Sequence, residues 1–137
     1  MDEILKHLKK SGFTRDQIDE IEEGIEEGLD VTCYTKNEFL AIQMRQIRLG
    51  LEQGLPVEVY ARTEYDWFQM EEIRKGMESG VNYSVYAFPE ISYDRMQQIR
   101  LGLEQGMNLS TYKHLDAGVL KQMRLAVLGK INIVPYI

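Results

Sequence analysis

Two histidines, one cysteine and a recurring arginine are the side chains with most chemistry in them. His7 and His114 stand near opposite ends of the 137 residues, and an imidazole acts as general acid or base only where a nucleophile or a second titratable group meets it. His7 lies in a polar amino-terminal stretch and is expected on the solvated surface. Cys33 is the sole cysteine, so no intrachain disulfide can form. It occupies a place taken elsewhere in the chain by Val59, Val85, Thr111 and Pro135, which marks a small packing position and not a reactive thiol. No Cys/His spacing suits zinc, and there is neither a phosphate-binding loop nor a nucleophile elbow. The expectation is a non-enzymatic protein with no catalytic residue, cofactor or metal.

Other residues point to binding. Arg48, Arg74, Arg100 and Arg124 recur in register and predict a ladder with steps of roughly 8–10 Å between neighbouring helices. Such a ladder could hold an acidic or extended peptide. The plainer expectation is that Arg48 pairs with Glu52, Arg74 with Glu78 and Arg100 with Glu104 at i,i+4 on exposed helix surface, each pair contributing about 0.2–0.5 kcal/mol. Leu49, Leu101 and Leu125 form a further column, either covered by neighbouring helices or exposed. Aromatic residues crowd the middle of the chain. Trp67 and Phe68 belong to one repeat only and are the best candidates for a contact anchor, since interface hot spots favour such side chains.

The elements that must position these residues are written as a repeat. The phrase QIRLGLEQG occupies 46–54 and recurs letter for letter at 98–106, with EIRKGMESG at 72–80 and EIEEGIEEG at 20–28. The period is 26 residues, in the range of solenoid architectures. Gly24, Gly50, Gly76 and Gly102 form one column, Gly28, Gly54, Gly80 and Gly106 a second, and Tyr34, Tyr60, Tyr86 and Tyr112 a third. A fifth copy follows if the preceding loop is two residues shorter. It places Ala126 in the first glycine column and Lys130 in the second.

Apolar columns at Ile18/Met44/Met70/Met96/Leu120, Ile21/Ile47/Ile73/Ile99/Met123 and Ile25/Leu51/Met77/Leu103/Val127 step by three and four, which makes one stripe of an α-helix. Thr14, Asp66, Ser92 and Asp116 are N-cap residue types in one column, with Gln17 and Gln69 suited to complete capping boxes. Leu40 breaks that column, so the second helix is expected to start earlier, near Asn37. The second glycine column ends each helix in a left-handed turn. Gly24 and its column sit inside the helix, where glycine is unfavourable by about 0.5–1 kcal/mol relative to alanine, and predict a close approach by the next helix or by the short segment. That short segment (29–34 and its equivalents) reads as a second, short helix, with a β-strand as the alternative.

The pattern I-R-x-G-L-E-x-G-L-x-V-x-x-Y-A, clearest at 47–61 and 73–87, resembles a tandem repeat of uncharacterised bacterial proteins. That resemblance implies no activity. Each unit also looks like the first two helices of a helix-turn-helix, which implies topology alone.

The fold expected is all-α, an α-solenoid of five units at 14–39, 40–65, 66–91, 92–115 and 116–137, each a long helix, a glycine turn and a short helix, behind an amino-terminal capping helix at 1–13. A composition of 44% hydrophobic and 28% charged residues suits one globular domain. The net charge of −6 repels phosphate backbones and anionic membranes, but not a basic partner. Without a signal-like leader or a long apolar run, the expected location is cytoplasmic. The function expected is binding of a protein or peptide. One alternative is self-association, including a homodimer, through the apolar stretch INIVPYI with Ile133 and Ile137 in the contact. A third reading is a helix-turn-helix nucleic-acid binder, against which the acidic charge weighs.

Overall fold

The computed structural model describes residues 2–129, and all of them are helix, turn or loop, with no strand. Six α-helices are found among them: α1 (Asp2–Lys10), α2 (Arg15–Glu26), α3 (Ala41–Glu52), α4 (Trp67–Ser79), α5 (Tyr93–Glu104) and α6 (Ala117–Val127). None is long and apolar enough to cross a membrane. The short segments are single 3-10 turns, Val31–Cys33, Val57–Val59, Tyr83–Val85 and Ser110–Tyr112, so the second helix of the first four repeats is three residues long, and that of the fifth lies outside the described residues.

The chain packs as two compact units, Met1–Arg74 and Lys75–Ile137. In the first, α1 packs on α2 and α2 on α3. Its core is Ile18, Ile21, Met44, Ile47, Met70 and Ile73 together with Tyr34, Phe39, Tyr60 and Tyr65, all buried. In the second, α5 packs on α6, and Met77, Tyr86, Ile91, Met96, Ile99, Leu109 and Leu120 are buried. The two leading apolar columns are therefore core, save Met123, which is half-buried. The third column lies at the margin: Met77 is buried, Ile25, Leu51 and Leu103 are half-covered, and Val127 is exposed.

Helix ends repeat one hydrogen-bond pattern. At the end of α2 the Gly28 N–H donates to the Ile25 carbonyl (3.0 Å) and the Leu29 N–H to the Gly24 carbonyl (2.9 Å), the paired bonds of a Schellman motif. Gly28 takes φ +75°, open to glycine at no steric cost. The same two bonds close α3 through Gly54 and Leu55, α4 through Gly80 and Val81, and α5 through Gly106 and Met107. They also close α1, where Gly12 N–H meets Lys9 and Phe13 N–H meets Leu8. In the last repeat Gly129, with φ +72°, makes the turn one position before Lys130.

Helix starts depart from expectation in three places. Thr14 with Gln17 and Asp66 with Gln69 form full capping boxes. The second long helix begins at Ala41 and not near Asn37. Leucine offers no acceptor at Leu40, but the Gln43 side chain accepts from the Leu40 N–H (2.8 Å) and makes half the box. Asn37 instead donates to the Ser11 carbonyl (3.0 Å). Ser92 and Asp116 stand at N-cap positions without capping through their side chains, and the Ser92 hydroxyl is engaged with Asp94 and Arg95.

Candidate functional site

The interior glycines are explained by the tyrosines. A Cβ on Gly24 would lie 2.1 Å from the Tyr34 hydroxyl and 2.6 Å from Val31, and one on Gly50 would lie 2.2 Å from the Tyr60 hydroxyl and 2.6 Å from Val57. Each hydroxyl donates to a carbonyl one turn before its glycine, Tyr34 to Glu20 at 2.8 Å and Tyr60 to Gln46 at 2.6 Å. Burial pushes the Tyr34 phenol well above its ordinary pKa, which keeps it a donor. In the second unit a Cβ on Gly76 would likewise lie 2.0 Å from the Tyr86 hydroxyl. The close approach comes from the short segment.

Tyr112 is the exception. It is 43% exposed, and Leu109 is buried in its stead. The loop from Tyr112 to Leu115 is two residues shorter than those from Tyr34 to Phe39 or Tyr60 to Tyr65, and the 3-10 turn slides one position along the chain. Gly102 accordingly faces Met107 and Leu109 at 3.2–3.3 Å, looser than the tyrosine contacts.

A polar seam joins one repeat to the next. The Gln17 amide donates to the Phe39 carbonyl (2.7 Å) and Gln43 to the Tyr65 carbonyl (2.7 Å), so each glutamine holds its own helix start and the residue leading into the following helix. In the second unit Arg95 stands in the glutamine column and donates to the Lys113 carbonyl (2.8 Å).

The arginine column lies in this seam and is not a surface ladder. Arg48 is 6% exposed, Arg100 and Arg124 are buried, and Arg74 is half-buried. The expected i,i+4 partners are present for Arg48 with Glu52 and for Arg100 with Glu104 (2.8 Å). Further links cross between helices: Arg48 to Glu20 (2.8 Å), Arg74 to Gln46 (3.0 Å) and Arg124 to Gln98 (3.1 Å). Glu23 at 3.6 Å and Glu27 at 3.5 Å complete a carboxylate ring around Arg48, and Arg45 shares Glu20 at 3.1 Å. Burial works against the Arg48 charge but is outweighed by the hydrogen bond and attraction from Glu20, so its pKa is raised. The Arg48, Arg74 and Arg124 guanidiniums hold helices together and Arg100 is buried, which leaves the column poorly placed to receive a peptide.

The remaining chemistry is quiet. His7 and His114 are exposed, and Cys33 is half-buried with burial pushing its thiol up, toward the unreactive protonated form. Among the described residues no group of three His, Cys, Asp or Glu side chains is placed to hold a metal ion. Leu49, Leu101 and Leu125 are each half-covered. Ile133 and Ile137 lie outside the described residues.

One apolar surface stands out in the first unit. Trp67 and Phe68, in the first turn of α4, stack with centroids 3.6 Å apart and planes inclined by 29°. Phe68 is 40% exposed. The neighbouring helix presents Leu40 at 63% and Ile42 at 38% exposure. Ile42 holds in α3 the repeat position that Phe68 holds in α4, and the Gln43 bond to Tyr65 places the two helix starts side by side. The sequence singles out Trp67 and Phe68; Leu40 was legible only as the break in the cap column, and Ile42 carried no signal of its own.

No family model matches the chain, and neither a curated protein nor a solved structure matches it.

Proposed function

We propose that the chain is a non-enzymatic interaction module that binds a protein or peptide through helical repeats. Its five units, 14–39, 40–65, 66–91, 92–115 and 116–137, stack as an α-solenoid behind α1, and the cytoplasm is its proposed place of work. The stacking is supported by the 26-residue columns and by recurrence of the same bonds, Tyr34 and Tyr60 to their own helices, Gln17 and Gln43 to the next. The resemblance to bacterial tandem repeats agrees with this reading and adds no activity to it.

The observation that carries the binding role is the stacked pair of half-buried Trp67 and exposed Phe68, together with exposed Leu40 and Ile42. The repeat does not require aromatics there, since the equivalent positions elsewhere are Arg15 and Asp16, Ala41 and Ile42, Tyr93 and Asp94, and Ala117 and Gly118. Large apolar side chains that do not serve the core suit an interface anchor. Affinity capture with the intact chain and with Trp67→Ala/Phe68→Ala tests it: partners are expected with the first and lost with the second while helical circular dichroism is kept. Identical captured proteins would count against the role.

A further inference from the structure

The first unit, Met1–Arg74, carries 17 Asp and Glu against 9 Lys and Arg, whereas the rest of the chain carries 5 against 7. The negative charge of the protein is thus concentrated in the unit that exposes Leu40, Ile42 and Phe68. A groove of about 340 Å³ lies beside that surface between α2 and α3, lined by Asp16, Asp19, Glu20, Ala41, Ile42 and Arg45. Ile42 belongs to both, so the groove and the apolar surface are continuous.

The charges in the groove are unequally committed. Glu20 is buried and tied to Arg45 and Arg48. Asp19 pairs only loosely to the outside, with Arg15 at 3.1 Å, both side chains being largely exposed, and exposed pairs of this kind contribute little and exchange readily. Asp16 is exposed on the same helix turn. The helix starts nearby carry a positive partial charge of about half a unit. Two full carboxylates outweigh it, and the Thr14 and Leu40 N–H groups are already taken by Gln17 and Gln43.

We infer that this surface docks a cationic amphipathic peptide segment, its apolar side chains on Leu40, Ile42 and Phe68 and its lysines or arginines over Asp16 and Asp19. This rests on the interaction role proposed above and specifies the ligand class. Charge complementarity selects the occupant: the excess of acidic over basic residues in this unit steers a basic segment toward it and repels an acidic one, and the basic segment competes with Arg15 for Asp19 while Arg45 stays on Glu20.

Trp67 is the only tryptophan in the chain and stacks on Phe68, so its emission reports occupancy directly. The full chain is titrated with two synthetic helical peptides that share their apolar positions, one bearing lysine and the other glutamate at the polar positions. The lysine peptide is expected to give a saturable change in emission, with the glutamate peptide at least about tenfold weaker. Asp16→Asn/Asp19→Asn is expected to weaken the lysine peptide about fivefold, and Phe68→Ala to weaken it further, with circular dichroism unchanged in both. Equal responses to the two peptides, tighter binding of the glutamate peptide, or indifference to Asp16→Asn/Asp19→Asn would each overturn the cationic assignment. Equal responses that still depend on Phe68 would overturn it while leaving the interaction role standing. If neither peptide produces a response, the assignment fails as well, and affinity capture then judges the broader role separately.

Discussion

A tyrosine hydroxyl lying where a Cβ would be fixes what each interior glycine can become. At Gly24 and Gly50 two side chains, the tyrosine and a valine, occupy that space; at Gly76 the first obstacle is the Tyr86 hydroxyl at 2.0 Å, with Tyr86 Cζ next at 3.1 Å and Tyr83 Cβ at 3.4 Å. Overpacking a core of this density costs typically 1–3 kcal/mol. Gly76→Ala is therefore expected to lower stability by about 2 kcal/mol, and much of that loss should disappear when the same change is made in Tyr86→Phe, which removes the obstructing oxygen. Urea unfolding of the two single variants and the double variant measures the coupling, and strictly additive effects would refute the steric account. The glycine column itself was readable from the repeat, as was its meaning of close approach. That Tyr112 would leave the pattern was not, because it depends on how a loop two residues shorter shifts the turn.

Between elements, the contacts that sequence did not foretell are polar. The capping boxes of Thr14 and Asp66, the glycine ends and the apolar stripe were legible because each is set by local chemistry along one helix, whereas the start at Ala41 and the side chains of Ser92 and Asp116 departed from it. The burial of Arg48 was not, since a charged residue four positions before a glutamate reads as an exposed pair, and only the neighbouring helix brings Glu20 to it. The recurrence of Gln17, Gln43 and Gln69 at the repeat period was the available signal for a seam, but sequence shows only the cap that each glutamine makes to its own helix. The same seam gives a pH dependence. Glu27, at the end of α2, holds its proton above the ordinary value of 4.5, chiefly through a hydrogen bond with the Glu52 carboxyl, then through burial and the Glu52 charge, against the pull of Arg48. A raised folded-state pKa contributes stability that is full below the unfolded value and is lost as pH rises through the folded one. Glu27→Gln, which cannot ionise, is expected to be more stable than the parent at pH 7, with the difference shrinking below pH 4.5. Thermal unfolding at the two pH values checks this; a parent more stable than the variant at pH 7 would show the sign to be wrong.

For the whole molecule, the first unit writes one docking pattern twice, Gln17 to Phe39 and Gln43 to Tyr65, and the proposed solenoid extends that plan to the remaining repeats. Repeat proteins of that kind derive their stability from intrinsic unit terms and nearest-neighbour interfaces, and a complete unit can be removed without disturbing the register of the rest. Deleting residues 40–65 removes 26 residues and joins Phe39 to Asp66. Gln17 then still meets the Phe39 carbonyl, and Arg74 takes the place of Arg48 opposite Glu20. A deletion of 40–52 alone would leave the short segment without its helix and the seam without a partner. Circular dichroism during urea unfolding is the most direct measurement. The 40–65 deletion is expected to keep its helical signal per residue and a single cooperative transition at a lower midpoint, and the 40–52 deletion to lose both. Loss of helical signal in the 40–65 deletion would contradict the repeat architecture itself.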